Sequence, residues 1–98
     1  MSDEPLHGKH HLRLYVTGKT PTSVRALRNL RRLCDEELSG AYRLEVIDVL
    51  EHPQLAEDER ILATPTLIRR LPPPLRRLVG DFSNAEQILL GLDIRDGE

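Results

Sequence analysis

The stretch that decides the fold runs from Ala63 to Gly80 and reads ATPTLIRRLPPPLRRLVG. It places two apolar-rich segments, TLIRRL (66–71) and LRRLVG (75–80), on either side of three consecutive prolines. Proline holds φ near about −65°, lacks the backbone N–H and is tolerated mainly in turns and at sheet edges. The stretch therefore predicts two short strands joined by a proline-filled turn, which is an antiparallel hairpin.

The residues before this hairpin predict a strand, a helix and a second strand. LRLYV (12–16) alternates apolar and polar side chains, as a strand does. Thr20 caps a helix that begins at Pro21 and ends at Ser39-Gly40. YRLEVIDVL (42–50) alternates before it becomes apolar, so a parallel βαβ unit is expected. The apolar positions of the helix recur at intervals of three and four and are Val24, Leu27, Leu30, Cys34 and Leu38.

The remaining residues predict two further helices, of which the second is ambiguous. A short helix opens at His52-Pro53 and runs to Arg60, and the capping box Ser83 to Glu86 starts the last helix. Residues 88–94 fit that helix, but they also alternate as a strand does. Gly91 costs about 1 kcal/mol in a helix interior. The C-terminal half is therefore compatible with two competing packings, whereas the N-terminal half is not.

Composition limits the chain to one small domain. It has 98 residues, 39% of them hydrophobic, which is enough for one modest core. Its 14 basic and 16 acidic residues leave a net charge of −2, which gives no global reason to expect a nucleic-acid or anionic membrane partner. No apolar run is long enough to span a membrane, and the polar, acidic N-terminus is not a secretory signal.

We therefore expect a cytoplasmic protein, in agreement with its single cysteine. Residues 1–11 are predicted to form a flexible leader, 12–94 one domain and 95–98 a C-terminal tail. His7, His10 and His11 lie in the predicted leader, where they have no fixed geometry for a metal. We expect these three histidines to be solvated.

The predicted order β-α-β-α-β-β-α, an α/β fold with Thr64-Pro65 before the third strand, is similar to the thioredoxin fold. Redox members of that fold carry two cysteines at the start of the first helix, where this chain reads GKTP (18–21). Cys34 lies further along the apolar face, so a buried structural thiol is expected. An enzyme using the Thr64-Pro65 edge would need an activated nucleophile, and Thr20 and Lys19 have no histidine or carboxylate beside them. We predict no catalytic residue, cofactor or metal.

Three longer segments resemble the KaiB family of the circadian clock. They are LYVTGKTPTSVRAL (14–27), YRLEVIDVLEHPQLAEDERILATPTLIRRLPPPLRRLVGD (42–81) and SNAEQILLGLDI (83–94). The resemblance implies a metamorphic protein, with a ground-state fold β-α-β-β-α-α-β that self-associates to a dimer or tetramer. Its second form would be a thioredoxin-like monomer that binds the N-terminal ring of KaiC, a hexameric ATPase. The first half of the chain would keep its structure in both forms.

The resemblance also implies roles for single residues. The fold switch would involve Pro65, Pro72, Pro73, Pro74, Gly91 and Asp93. Exchange of X-Pro bonds, which takes roughly tens to hundreds of seconds, would set the barrier. Arginine forms bidentate bonds with carboxylates, and the implied KaiC-binding residues are Arg25, Arg69, Arg76 and Arg77. We interpret Arg28, Arg31 and Arg32 as the solvated face of the helix.

One residue departs from the pattern of the family. Glu45 stands on the second strand, where cyanobacterial relatives carry lysine on the edge that receives KaiA, so binding of KaiA is doubtful. The resemblance thus implies a non-enzymatic component that modulates the phosphorylation and ATPase cycle of KaiC. It would compete there with the thioredoxin-like sensor domain of a histidine kinase. The alternatives are an hourglass timer or a stress-response module that works with a KaiC homologue and without KaiA.

Overall fold

The computed structural model describes residues 10–38 and 41–92. Its elements follow the order that the sequence predicts for a thioredoxin-like fold. They are β1 (His10–Val16), α1 (Pro21–Glu37), β2 (Tyr42–Asp48), α2 (Pro53–Asp58), β3 (Thr66–Leu71), β4 (Arg76–Val79) and α3 (Ala85–Gly91).

The four strands form one sheet in the order β2-β1-β3-β4. β1 and β2 are parallel, with Leu14 opposite Val46. β3 runs antiparallel to β1, and β4 runs antiparallel to β3 with Ile68 opposite Arg77. The two central strands, β1 and β3, carry most of the fully buried side chains of the sheet, whereas β2 and β4 are its edges.

β1 begins at His10, two residues earlier than predicted. His10 lies opposite Tyr42 in the parallel pair, is buried, and has its ring Nδ1 3.3 Å from the carbonyl oxygen of Ala41. The predicted leader and solvated histidines are therefore wrong for His10, and His11 also belongs to the strand. His7 lies outside the described residues. Within residues 10–38 and 41–92, no group of histidine, cysteine and carboxylate side chains could hold a metal ion.

The start of α1 confirms the predicted cap, because the Ser23 N–H donates to the Thr20 hydroxyl and Pro21 is the first helical residue. Leu30, Cys34 and Leu38 are buried as their spacing indicates, but Val24 is not part of the buried face. Ser23 points inward and its Oγ accepts from the Thr17 N–H at 3.1 Å, whereas Val24 is 42% exposed. The helix ends with Leu38 as its C-cap, and the predicted stop at Ser39-Gly40 lies outside the described residues.

From β2 onward, several element boundaries differ from the prediction, and β4 covers Arg76–Val79 instead of 75–80. β2 stops at Asp48 because its carboxylate accepts from the N–H groups of Gly18 and Leu50, which turns the chain. α2 stops at Asp58, shortly before Arg60 with its positive φ of 55°. α3 is capped by Asn84, one residue after the predicted Ser83.

Two apolar clusters lie on the two faces of the sheet. The larger packs the sheet against α1 and α3, and the smaller is built around Tyr15, Ile47 and Ile68 on the other face. Cys34 belongs to the larger cluster, which confirms the predicted buried thiol. Burial raises the pKa of this thiol to about 12, so it is protonated at neutral pH. Among the described helices, none has the length and apolar character needed to cross a membrane.

Candidate interaction surface

Arg25, the first predicted contact residue, lies on α1 beside the loop that follows β4. Its guanidinium Nε is 3.5 Å from the Asp81 carboxylate, and its side chain is 51% exposed. Hydrogen bonds from Ser83, and then the charge of Arg25, lower the pKa of Asp81. The Asn29 side chain donates to the Asp81 carbonyl oxygen at 3.0 Å. Arg25 is therefore presented to solvent at a point where α1 is fastened to the β4–α3 loop.

Arg76 and Arg77 are both exposed, but successive residues of a strand point to opposite faces. Arg77 donates to the carbonyl oxygens of Glu59 at 2.8 Å and Arg60 at 3.2 Å, so it holds the end of α2. Arg76 lies opposite Arg69 in the hairpin, at the end of β4 next to the proline turn. Within residues 10–38 and 41–92 it makes no ion pair. The structure thus leaves Arg76 available to a partner and engages Arg77 within the chain.

Arg69 was predicted as a contact residue, and its placement does not agree with a surface role. The residue is only 3% exposed. Its Nη1 donates to the carbonyl oxygen of Leu92 at the end of α3, and its Nη2 donates to the carbonyl oxygen of Pro74 at 2.8 Å. A cation at this place also faces the negative end of the helix dipole. Arg69 therefore joins β3, the proline turn and α3, and we call this set of contacts the Arg69 tie.

The predicted switch prolines lie in two loops that flank β3. The peptide bonds Thr64–Pro65, Leu71–Pro72 and Pro73–Pro74 are cis. The Pro65 carbonyl oxygen accepts from the Gly80 N–H at 3.1 Å, which joins the loop before β3 to the end of β4.

Gly91, the last residue of α3, has a packing role that sequence reasoning missed. A Cβ at this position would overlap the Cδ2 methyl of Leu78 and lie 3.0 Å from its Cδ1. Glycine therefore allows α3 to approach β4 closely. The predicted partner residue Asp93 lies outside the described residues.

At the start of α1, where redox members of the fold carry two cysteines, this chain reads Gly18-Lys19-Thr20-Pro21. Thr17, at the end of β1, shares a 2.5 Å hydrogen bond with the hydroxyl of Thr64 next to Pro65. Cys34 follows Thr20 by 14 residues, or about 21 Å along the helix at 1.5 Å per residue. The single cysteine of the chain therefore does not lie at this edge.

Two features of this surface were not found from the sequence. Asp81 and Asn29 connect α1 to the β4–α3 loop, and only the tertiary structure brings them together. Val24 and Val46 are exposed side by side next to the edge of the sheet. The excess of apolar positions on α1, more than one buried stripe requires, is the signal that could have indicated Val24.

Solved structures agree with the fold. The N-terminal domain of SasA from Synechococcus elongatus is similar over 100% of this chain and 96% of that chain, with a TM-score of 0.73 and 26% identity. Mitochondrial thioredoxin 3 from Saccharomyces cerevisiae is similar over 90% of this chain and 80% of its own, with a TM-score of 0.70. At 17% identity this second likeness shows the fold alone.

Sequence comparison identifies the family, which the likeness in fold does not. Residues 13–94 match the KaiB domain. The circadian clock oscillator protein KaiB of Thermostichus vulcanus is 57% identical over 90 residues, which cover 92% of this chain and 83% of the relative. The circadian clock protein KaiB3 of Synechocystis is 58% identical over 83 residues, covering 85% and 81%. With the thioredoxin-like order of elements and the matched domain, the chain belongs to the KaiB family.

Proposed function

We propose that this chain is a non-enzymatic clock or timer component that binds the N-terminal ATPase ring of a KaiC homologue in the form described here. Binding would modulate the phosphorylation and ATPase cycle of the ring. One observation carries the proposal: a KaiB-family chain has the fold of the SasA N-terminal domain along its whole length. This likeness supports competition between the chain and a thioredoxin-like sensor domain for one site on the ring.

Arg25 and Arg76 are the residues through which we expect the chain to contact the ring. Both are exposed, and both have a planar fork that can bind a carboxylate with two hydrogen bonds. The ion pair between Arg25 and Asp81 is partly solvated, and such pairs stabilise by only about 0–1 kcal/mol. A partner carboxylate can therefore replace Asp81 at little cost. Arg77 would act indirectly, by holding the end of α2.

The proposed fold switch would have to release three contacts that hold α3. These are the Asn84 cap, the packing of Leu78 on Gly91, and the Arg69 tie. Pro65 and the prolines 72–74 lie in the loops that would rearrange around β3. The βαβ unit at the N-terminus contains none of these contacts. Because these contacts all lie outside the βαβ unit, they support a switch confined to the C-terminal half. Binding to the ring would be slow if it has to wait for this switch.

Glu45 favours a timer or stress module that works without KaiA. Glu45 lies on the exposed edge strand β2, and its Oε1 is 3.0 Å from Nη2 of Arg13. A carboxylate that pairs with its neighbour leaves position 45 without the positive charge that the resemblance implies for a KaiA contact. We therefore propose that no KaiA-type partner binds at this edge.

Co-elution tests the proposed function. The purified chain is mixed with the hexameric KaiC homologue of the same organism, with ATP, with ADP and without nucleotide, and sampled over a day by size-exclusion chromatography. We expect a complex that forms slowly and depends on the nucleotide. Charge reversal in Arg25→Glu or Arg76→Glu should weaken it by roughly tenfold or more, whereas Arg43→Glu, exposed on β2, serves as the matched control. Absence of co-elution at every time point would contradict the proposal.

A further inference from the structure

A groove of about 480 Å³ lies between α1 and the edge strand β2. This volume is within the range of roughly 300–1,000 Å³ that is usual for ligand sites. Its lining is mainly apolar and includes Val16, Val24, Leu27 and Val46. We call it the α1–β2 groove.

Two valines of this groove stay open to solvent although they belong to a helix and a strand that pack together. Val24 is 42% exposed and Val46 is 39% exposed. The cause is local: Ser23 is buried and bonds to Thr17, which turns Val24 outward, and β2 is an edge strand of the sheet that the described residues form. The groove is therefore an apolar surface left uncovered by the described residues, and burial by a partner would be favourable.

The rim of the groove is basic. Lys19, Arg28 and Arg31 are exposed there, and none of them makes an ion pair within residues 10–38 and 41–92. Two carboxylates of the βαβ unit form other hydrogen bonds: Asp48 accepts from the Gly18 and Leu50 N–H groups, and Asp35 accepts from the Tyr42 hydroxyl at 2.8 Å.

The charge order along α1 is the reverse of what helix stability favours. Arg25 and Arg28 lie in the first turns, near the positive end of the dipole, while Asp35, Glu36 and Glu37 lie in the last turn. The helix has no acidic residue in its first turn and no basic residue in its last turn. The cations near the groove are therefore not explained by stabilisation of α1, and they agree with attraction of a negatively charged partner.

From these observations we infer that the α1–β2 groove binds an acidic amphipathic helix of a partner protein. Leucine-like side chains of that helix would cover Val24, Leu27 and Val46, and its carboxylates would pair with Lys19, Arg28 and Arg31. The geometry suits a helix laid in a groove, with apolar anchors on one face and acidic side chains beside them. Every lining residue lies between Val16 and Val46, within the βαβ unit. Arg25 and its bond to Asp81 are not part of this lining, so the inference does not rest on ring binding.

A defined peptide tests the groove. The probe is a fluorescently labelled 16-residue helical peptide with leucines on one face and glutamates on the rest, titrated with the full chain and followed by anisotropy. A ¹H–¹⁵N spectrum of the labelled chain locates the site. We expect saturable binding, with the largest shifts at Val24, Leu27 and Val46, and weakening of roughly tenfold when NaCl rises from about 0.05 to about 0.5 M. The double variant Arg28→Glu, Arg31→Glu should weaken binding by at least about tenfold.

Matched controls separate the contribution of the basic rim from that of the apolar lining. Arg32→Glu changes an exposed charge of the same helix that does not line the groove, and should weaken binding by less than about threefold. Val24→Ser should weaken binding. Leu90→Ser, which changes an exposed apolar residue outside the groove, should not. Circular dichroism confirms that each variant is folded.

Three results would overturn the inference. The first is equal binding of a scrambled peptide with the same composition but no apolar face, because that would show charge attraction alone. The second is a set of shifts centred outside the groove. The third is a concentration-dependent shift of the groove amides without peptide, together with a dimer in sedimentation, because the occupant would then be a second copy of this chain.

Discussion

Residues 10–48 and residues 53–92 differ in the length of their helices and strands and in how deeply these are buried. The first region has a capped helix of 17 residues and two strands paired over seven residues each. The second has helices of six and seven residues and an edge strand of four. Among the elements of the second region, only β3, in the centre of the sheet, consists mainly of buried residues. Because α2, β4 and α3 are short, they depend on a few identifiable contacts, and local opening should begin there.

The largest expected effect is in the first region. Leu30 is fully buried in α1, so Leu30→Ala should lower the free energy of unfolding by about 2–5 kcal/mol through lost packing and a cavity. Urea denaturation followed by circular dichroism measures this change. Leu62→Ala is the matched control because Leu62 is 96% exposed, and it should change the free energy by less than about 0.5 kcal/mol. Similar losses in both variants would contradict the assignment of the core.

The Arg69 tie gives the next largest effect. Arg69→Met keeps the aliphatic part of the side chain but leaves the carbonyl oxygens of Leu92 and Pro74 without this donor. We expect a loss of about 1–3 kcal/mol, with faster amide exchange in α3 and unchanged exchange in α1. Arg70→Met removes an exposed pair with Glu59 on the opposite face of the strand, and should lose about 0–1 kcal/mol. If both variants behaved alike, the tie would have no special role.

The cap of α3 should show a smaller effect. Asn84→Ala removes the acceptor of the Gln87 N–H and should destabilise by about 1 kcal/mol. Ser83→Ala tests the capping box that the sequence suggests. It should have the lesser effect because Ser83 does not cap the helix, and its backbone N–H, which donates to the Asp81 carboxylate, is kept in alanine. Thermal unfolding of both variants decides between the two caps. A greater loss in Ser83→Ala would restore the predicted capping box.

The smallest expected effect concerns Gly91. Alanine should gain less than the value of about 1 kcal/mol that applies in a helix interior, because Gly91 is the last residue of α3. Its Cβ would also overlap Leu78, so part of that gain is lost. In a Leu78→Ala background the overlap disappears, so Gly91→Ala should be more favourable there. A double-mutant cycle measures the coupling, which we expect to be about 0.5–1 kcal/mol. Additive changes would show that Leu78 does not restrain this position.

Much of the fold could be predicted because it depends on neighbours in sequence. Thr20 and Pro21 mark the start of α1, and the prolines 72–74 mark the turn between β3 and β4, each through a local conformational rule. Cys34 follows the apolar period of its helix. The order of elements, the hairpin and the buried thiol were all correct for this reason.

The predictions that failed depend on residues distant in sequence. His10 is polar, and only its pairing with Tyr42, 32 positions later, makes it part of the sheet. Arg69 looks like a surface cation until the end of α3 and the proline turn surround it. Alternation could not assign residues 88–94, because the same apolar positions fit a helix and a strand. The structure shows helix as far as Gly91, and the rest of that segment beyond Leu92 lies outside the described residues.

Native-state hydrogen exchange of the free chain tests the central claim most directly, because it measures the free energy of opening at each amide. We expect amides of α3 and β4 to open together at a lower free energy than those of β1, α1 and β3. The Arg69→Met variant should widen this difference. One uniform opening free energy across all elements would contradict an unevenly stabilised molecule, and with it the structural basis for a switch in the C-terminal half.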